Sequence, residues 1–308
     1  MLQCNLGVLA TILLCAAAYC AQMKSDPGFD ALNADENAVE MALAVICPTG
    51  DILRTPNGKV AGCRRCPAGT DFQSMEGLEW TLQEATIGHF TAPDARNIIL
   101  SGRGCESHAS YFGGSFMFVL QSGRPQLLAY NQALITERCQ SLRFHDARDF
   151  LVCEDRSGGQ GIGWAFIYIA TFDQDGKTQA TPLFIAEDTV GTCGENDMGK
   201  PVGPVRSSSI QEVQYADLNG DGLPDISITA TLGTRLLSER ERKTCGHNSG
   251  NWERSEAPVP IATKKYQVDF LFDGKNFRPA AASKRVLRLF PRPEFPFWVP
   301  RSVPVPSS

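Results

Sequence analysis

The residues from Asp217 to Asp225 have the types and the spacing of a loop that wraps a hard cation. Oxygen-bearing side chains fill positions 1, 3, 5 and 9 of this nine-residue stretch, and a backbone carbonyl can add one more oxygen. Ca²⁺ takes about 6–8 oxygen ligands at roughly 2.3–2.6 Å, so such a loop predicts a calcium site. The predicted ligands are Asp217, Asn219, Asp221, Leu223 (through its carbonyl) and Asp225.

The flanking residues indicate which kind of loop this is. An EF-hand requires two helices and a bidentate Glu at position 12, where this chain has Ile228. Alternating apolar and β-branched residues precede and follow the loop, which predicts a strand on each side. Gly220 and Gly222 permit the tight turn because glycine tolerates positive φ. The alternative is a polar hairpin turn that binds no metal.

The rest of the chain of 308 residues predicts export. Residues 1–22 resemble a secretory signal, with an apolar stretch from Leu6 to Ala18 and small residues for cleavage at Ala16, Ala18 and Ala21, although no Lys or Arg precedes that stretch. No later segment is apolar enough to predict a membrane span. The formal net charge of −5 disfavours nucleic-acid binding, since phosphate contacts need clustered cations. We therefore expect a secreted, periplasmic or cell-surface protein.

Eight cysteines lie beyond the predicted signal segment, an even number that indicates disulfides in an exported chain. Proximity in the predicted hairpins favours the pairs Cys139–Cys153 and Cys193–Cys245. Cys47, Cys63, Cys66 and Cys105 would then pair among themselves. The Cys63–Cys66 spacing is also compatible with zinc, but only three of the four local ligands that zinc needs are present.

Three segments of the chain repeat one pattern of strands and turns. Each has a short strand, a polar turn, a buried strand, a connection, a strongly apolar strand, a turn and an edge strand. The pattern predicts four-stranded antiparallel meanders, and such sheets arranged about an axis form a β-propeller. A closed propeller takes about 4–8 sheets, so three recognisable units leave the ring incomplete unless the chain ends supply another sheet.

The loop at 217–225 with its following strand, together with Phe112-Gly113-Gly114 in the first unit, resembles the FG-GAP/VCBS repeats. Those repeats build calcium-binding β-propellers such as the head of the integrin α chain. The resemblance extends over roughly residues 85–285, but its metal ligands are complete only in the third unit. In the first unit the positions that correspond to the metal ligands, before Asn97, are occupied by His89, Thr91 and Pro93. In the second unit the corresponding loop is shortened to Asp146–Asp149. The resemblance therefore implies one calcium site and an all-β, β-propeller-like fold.

These observations give an expected domain organisation and function. We expect a signal peptide (1–22), an N-terminal segment (23–46), a small cysteine-rich module (47–84), the repeat domain (85–289) and a proline-rich tail (290–308). No catalytic motif is found, and Cys105 beside Glu106 and His108 is expected to be oxidised. The resemblance implies a binding, adhesion or envelope-associated module that uses calcium for stability and has an extracellular protein or glycan ligand. The alternative is a secreted hydrolase with several perturbed acids in a deep pocket.

Overall fold

The fold is described here from a computed structural model, for residues 36–47, 51–107, 113–159, 161–195, 203–247, 261–294 and 300–303. The predicted signal segment, His108 and Phe112 lie outside these ranges. Within them the protein is all-β and its strands pair antiparallel. None of the helices in these ranges is both long enough and apolar enough to cross a membrane.

The first sheet contains seven strands and carries one helix. Helix α1 (Glu36–Ile46) buries one apolar side, made by Ala38, Ala42, Leu43 and Ile46. In spatial order, the strands of the sheet are β1 (Ile52–Arg54), β2 (Val60–Cys63), β3 (Trp80–Gly88), β4 (Asn97–Arg103), β5 (Gly113–Gln121), β6 (Arg124–Gln132) and β15 (Arg301–Val303). Strand β3 runs across the boundary expected at residues 84 and 85, so the cysteine-rich module extends the same sheet as the first repeat unit.

The other two sheets have four strands each. The second contains β7 (Cys139–Arg143), β8 (Asp149–Gly159), β9 (Ile162–Phe172) and β10 (Thr178–Asp188). The third contains β11 (Val205–Ala216), β12 (Asp225–Arg235), β13 (Lys264–Phe272) and β14 (Phe277–Pro279). Two helices flank the third sheet, namely α2 (Glu239–His247) before β13 and α3 (Ser283–Leu287) after β14, and a short 3₁₀ turn (Val190–Thr192) precedes it. The all-β class and the antiparallel meanders expected from the repeated pattern are confirmed, but the meander of the first unit, β3 to β6, is part of a sheet of seven strands. In the ranges described above, the sheets do not close into a propeller.

Strand alternation explains why the sheets stack through apolar faces. One core cluster joins the second and third sheets and includes Phe150, Phe184, Ile228 and Phe270. Another joins the first and second sheets around Phe166. A third lies between the first sheet and helix α1, around Trp80 and Phe116. Each meander buries one face against its neighbour, which positions the turns at the ends of the sheets.

Four disulfides close the described part of the chain, and they agree with the pairing expected from the sequence. Cys139–Cys153 and Cys193–Cys245 are both formed. The four N-terminal cysteines pair as Cys47–Cys63 and Cys66–Cys105. Cys105 is therefore not a free thiol, and the CxxC sulfurs are held in two different bridges.

The end of the chain returns to the first repeat unit. Strand β15, within the proline-rich tail, pairs with β6, and Ser302 Oγ donates to Asn131 Oδ1 at 2.5 Å. The same hydroxyl oxygen accepts the N–H of Thr178, the first residue of β10, at 2.9 Å. The tail thus bonds to both the first and the second sheet.

Candidate functional site: the loop at residues 217–225

The loop of residues 217–224 joins β11 to β12, with Ala216 opposite Asp225 in the antiparallel register. This strand–loop–strand arrangement agrees with the flanks read from the sequence. Gly220 and Gly222 have φ of +82° and +84°, a region that disfavours side chains, so both glycines are required by the turn. A Cβ at either position would meet no atom within 4 Å, so conformation rather than space selects glycine there.

Asp217 organises the loop through backbone hydrogen bonds. Its Oδ2 accepts the N–H of Gly222 at 2.8 Å, and its Oδ1 accepts those of Gly220 at 2.6 Å and Asp221 at 3.1 Å. These donors, with Gly222 the largest contributor, lower the pKa of the Asp217 carboxyl below its usual value. The first predicted ligand is therefore held as a carboxylate at neutral pH.

Asn219 and Asp221 form two consecutive turns on the exposed side of the loop. Asn219 Oδ1 accepts the N–H of Asp221 at 2.9 Å, and Asp221 Oδ1 accepts the N–H of Leu223 at 2.9 Å. Asn219 Nδ2 also donates to Asp221 Oδ2 at 2.9 Å. Side-chain oxygens that fold back on their own backbone in this way give the loop a defined shape before any ligand arrives.

Asp225 differs from the other four predicted ligands because it is fully buried. Its Oδ2 accepts the N–H of Leu218 at 2.9 Å, and its Oδ1 accepts the N–H of Phe272 at 2.7 Å. The carboxylate therefore ties the start of the loop to the end of β13. This contact with the third strand was not evident from the sequence, because Phe272 is 47 residues away.

The same position carries a buried Asn or Asp in all three units. Asn97 begins β4, Asp149 begins β8 and Asp225 begins β12. Asn97 Oδ1 accepts the N–H of Phe90 at 2.9 Å and that of Thr91 at 3.1 Å. Asp149 Oδ2 accepts the N–H of His89 at 2.7 Å, which links the second sheet to the first. A side-chain acceptor at the first residue of the second strand is thus a shared feature of the three meanders.

Whether the loop could hold a metal ion depends on the donor atoms that it offers. In the described ranges, no group of three or more His, Cys, Asp or Glu side chains is placed to hold a metal ion. The loop offers instead two exposed aspartates, one asparagine, one backbone carbonyl and the buried Asp225. All are hard oxygen donors of the kind that Ca²⁺ prefers. Asp217 Oδ1 already accepts two N–H groups, whereas Asp217 Oδ2, Asp221 Oδ1 and both oxygens of Asp225 accept one each and keep a second lone pair. The residues therefore fit calcium by chemistry, with Asp225 serving the fold as well.

Comparison with known protein families, with curated proteins and with solved structures finds no match to this chain. The functional interpretation accordingly rests on the residues and their contacts.

Two cavities outside the loop contain acidic side chains. One of about 310 Å³, between the first and second sheets, is lined by Asp155, Glu137, Glu154, three arginines and Ile135. Burial raises the pKa of Asp155 to about 6.

A larger cavity of about 550 Å³ lies between α1, the β1–β2 hairpin and β3. It is lined in part by Glu84, whose pKa burial raises to about 7. The sequence did not identify these acids, because only the packing of the sheets buries them.

The buried position of Asp225 leads to a first prediction. Asp225→Asn should lower the free energy of unfolding by about 2–3 kcal/mol, because the amide nitrogen cannot accept one of the two N–H groups. Urea denaturation in EDTA measures this without any metal. Asp221→Asn is the matched control, because the remaining side-chain oxygen still accepts the N–H of Leu223. This substitution should lower the free energy of unfolding by less than about 0.5 kcal/mol. Equal losses in the two variants would show that Asp225 has no special structural role.

Proposed function

We propose that this chain is an exported, calcium-stabilised β-repeat module of the FG-GAP/VCBS type that binds a partner at the cell surface or envelope. The observation that carries the proposal is the loop at 217–225, in which carboxylate and amide oxygens spaced at positions 1, 3 and 5 are already ordered by backbone hydrogen bonds. The calcium would be structural. Both flanks of the loop are long, paired strands, and no hinged helix pair is present there to act as a sensor.

The arrangement of the sheets supports the β-propeller-like part of this proposal. Three consecutive four-stranded meanders pack face to face, and the chain end returns to the first one through β15. Turns of neighbouring units also bond directly, as where the N–H of His145 donates to the carbonyl of Gly274 at 3.0 Å. Four disulfides support a location outside the reducing cytosol. We propose that this assembly presents its loops and faces to a protein or glycan ligand.

Calcium should raise the thermal midpoint of the purified protein, because the metal would bind the folded loop and not the unfolded chain. At a free calcium concentration of about 100 times the dissociation constant, the stabilisation amounts to about 2.7 kcal/mol. Thermal denaturation followed by circular dichroism, in calcium and in EDTA, measures the shift, and calorimetric titration gives the affinity.

Two matched variants show whether the stabilisation by calcium arises at the loop of residues 217–225. Asp221→Asn keeps the turn but removes one ligand charge, and it should weaken calcium binding by about tenfold or more. Asp175→Asn removes the same charge from the exposed turn between β9 and β10, where Asp175 pairs with Lys177 at 3.1 Å, and it should leave the calcium response unchanged. An unchanged midpoint of the wild-type protein in calcium would remove the metal from the proposal.

The hydrolase alternative rests on the cavity of about 310 Å³ between the first two sheets. Its acid Asp155 has a pKa raised to about 6, the range in which a carboxyl group can act as a general acid near neutral pH. Two of its arginines are already paired with carboxylates, Arg103 with Glu137 and Arg156 with Glu154, so the cavity is organised largely by internal ion pairs. A screen against glycan, ester and peptide substrates, with Asp155→Asn as the inactive control, distinguishes the two functions.

A further inference from the structure

The acidic net charge of the chain conceals a local excess of positive charge. From residue 274 to residue 293 there are six Lys or Arg residues and no Asp or Glu, although the whole chain has a net charge of −5. Four of these cations lie on helix α3 and the segment that follows it. We call their exposed side chains the basic face: Lys284, Arg285, Arg288 and Arg292.

The basic face carries charges that are not neutralised within the protein. Arg278, which precedes it, pairs with Asp273 at 3.2 Å. In the part of the chain that the structure describes, none of the four side chains of the basic face makes such an ion pair. The neighbouring acid on β13 is Asp269, and its Oδ1 already accepts bonds from Ser227 Oγ at 2.7 Å and Gln267 Nε2 at 3.0 Å. The four cations are therefore available to an external anion.

Both ends of the segment are fixed, one to the third sheet and the other between the second and third sheets, so the cations are presented on a rigid support. Ser283 is buried, and its Oγ accepts the N–H of Asp269 at 2.8 Å. At the other end Phe290 is buried against the rings of Phe184 and Tyr266, with centroids 4.9 Å and 6.0 Å away. A segment that is ordered before binding loses less conformational entropy when a partner docks.

The spacing and the residue types indicate the chemistry of the partner. Arg285 and Arg288 are three residues apart in and just after a helical turn, which places neighbouring side chains on one side. Arginine presents a planar fork that pairs in bidentate fashion with sulfate, phosphate or carboxylate groups. A row of such groups on a polymer matches a row of arginines better than a single small anion does.

We propose that the basic face binds a sulfated or carboxylated polysaccharide outside the cell, with Arg285, Arg288 and Arg292 pairing with its anionic groups. The choice of an extracellular polymer rests on the exported location given under the proposed function. Four disulfides disfavour the cytosol, where nucleic acids are abundant. The anionic lipids phosphatidylserine and phosphatidylinositol are concentrated in the cytoplasmic leaflet, which does not face the outside of the cell.

The test uses the purified full chain and heparin as the probe, with fluorescence anisotropy of a labelled heparin fragment at several salt concentrations. Wild-type protein should bind heparin and dextran sulfate but not neutral dextran, and the affinity should fall steeply with salt. The variant Arg285→Gln/Arg288→Gln/Arg292→Gln should bind heparin about tenfold or more weakly, with a shallower salt dependence.

A control variant removes the same charge elsewhere. Arg64, Arg124 and Arg240 are exposed and lie on other elements, so Arg64→Gln/Arg124→Gln/Arg240→Gln should change heparin affinity by less than about threefold.

An equal loss in both variants, or no heparin binding by the wild type, would overturn the proposal. Tighter binding to single-stranded DNA or to phosphatidylglycerol vesicles than to heparin would overturn the choice of polysaccharide. All titrations are made in calcium and in EDTA, so that failure of the calcium site and failure of the basic face are seen separately.

Discussion

Replacing Gly102 with alanine is expected to lower the free energy of unfolding by about 1–3 kcal/mol or more, one of the largest effects available to a single methyl group in this protein. Gly102 lies in the buried strand β4, under the fully buried ring of Trp80. A Cβ there would be 2.2 Å from Trp80 Cε2 and 2.8 Å from the carbonyl oxygen of Thr81. Neither the ring nor the strand backbone can move away without disturbing the core cluster between the first sheet and helix α1, where Trp80 packs edge-on against Phe116.

A strand glycine in open surroundings provides the control for this substitution. Gly163 in β9 has only the Cβ of Asp188, at 3.9 Å, near the place of an added methyl group. Gly163→Ala should therefore change stability by no more than about 0.5 kcal/mol, in either direction. Urea denaturation with the disulfides intact compares the two variants.

A double-mutant cycle identifies the cause of the loss. Trp80→Phe removes the ring atoms that the methyl group added by Gly102→Ala would meet, and it also removes an indole N–H that has no acceptor among the described residues. The loss in the double variant should therefore be smaller than the sum of the two single losses, by about 0.5–3 kcal/mol. Additive losses, or a Gly102→Ala protein as stable as the wild type, would contradict the packing argument.

The example of Gly102 shows why parts of this fold could be predicted from the sequence and parts could not. Strand alternation and turn residues are local signals, and they predicted three meanders and the strands beside the loop at 217–225 correctly. The expectation of export and an even cysteine count, together with hairpin proximity, predicted the disulfides Cys139–Cys153 and Cys193–Cys245. The contact of Gly102 with Trp80 depends on the register between β3 and β4, which no local pattern specifies.

The candidate site shows the same division. The spacing of Asp217, Asn219 and Asp221 is visible in the sequence, and their turns are formed by bonds within a few residues. The bond from Phe272 to Asp225 and the burial of Glu84 and Asp155 arise only when distant strands come together. The basic face was missed in the sequence for another reason. The net charge of the whole chain sums all charged residues, so a local excess of cations is offset by acids elsewhere.

The buried carboxyl groups lead to the second large prediction, which concerns pH. Burial raises the pKa of Glu106 to about 7, that of Glu84 to about 7 and that of Asp155 to about 6. Glu106 is fully buried, where it accepts bonds from the Tyr130 hydroxyl and from Gln132 Nε2, the latter at 2.9 Å. The nearby Asp71 carboxylate raises its pKa further. In the unfolded chain these groups return to ordinary values near 4, so the folded protein binds more protons between about pH 4 and pH 7.

The sign of the effect follows from this difference in proton binding. The stability contributed by a carboxyl with a raised pKa is complete below its unfolded pKa, and it is lost as the pH rises through its folded pKa. Below about pH 4 the exposed carboxylate of Asp217, whose pKa is lowered, becomes protonated and acts in the opposite direction. We therefore expect maximal stability near pH 4–5 and a fall in the thermal midpoint of several degrees between pH 5 and pH 7.

Thermal denaturation across that range, in EDTA, measures the fall directly, and one substitution assigns it. Glu106→Gln keeps the size of the side chain but removes its ionisation. The decrease in stability with pH should therefore be less steep, by an amount that corresponds to at most one bound proton. Glu212→Gln removes an exposed carboxylate by the same substitution and serves as the control. A midpoint that rises between pH 5 and pH 7 would mean that the buried carboxyls are already ionised in the folded protein. In that case Asp155 would also lose the proton that the hydrolase alternative requires of a general acid.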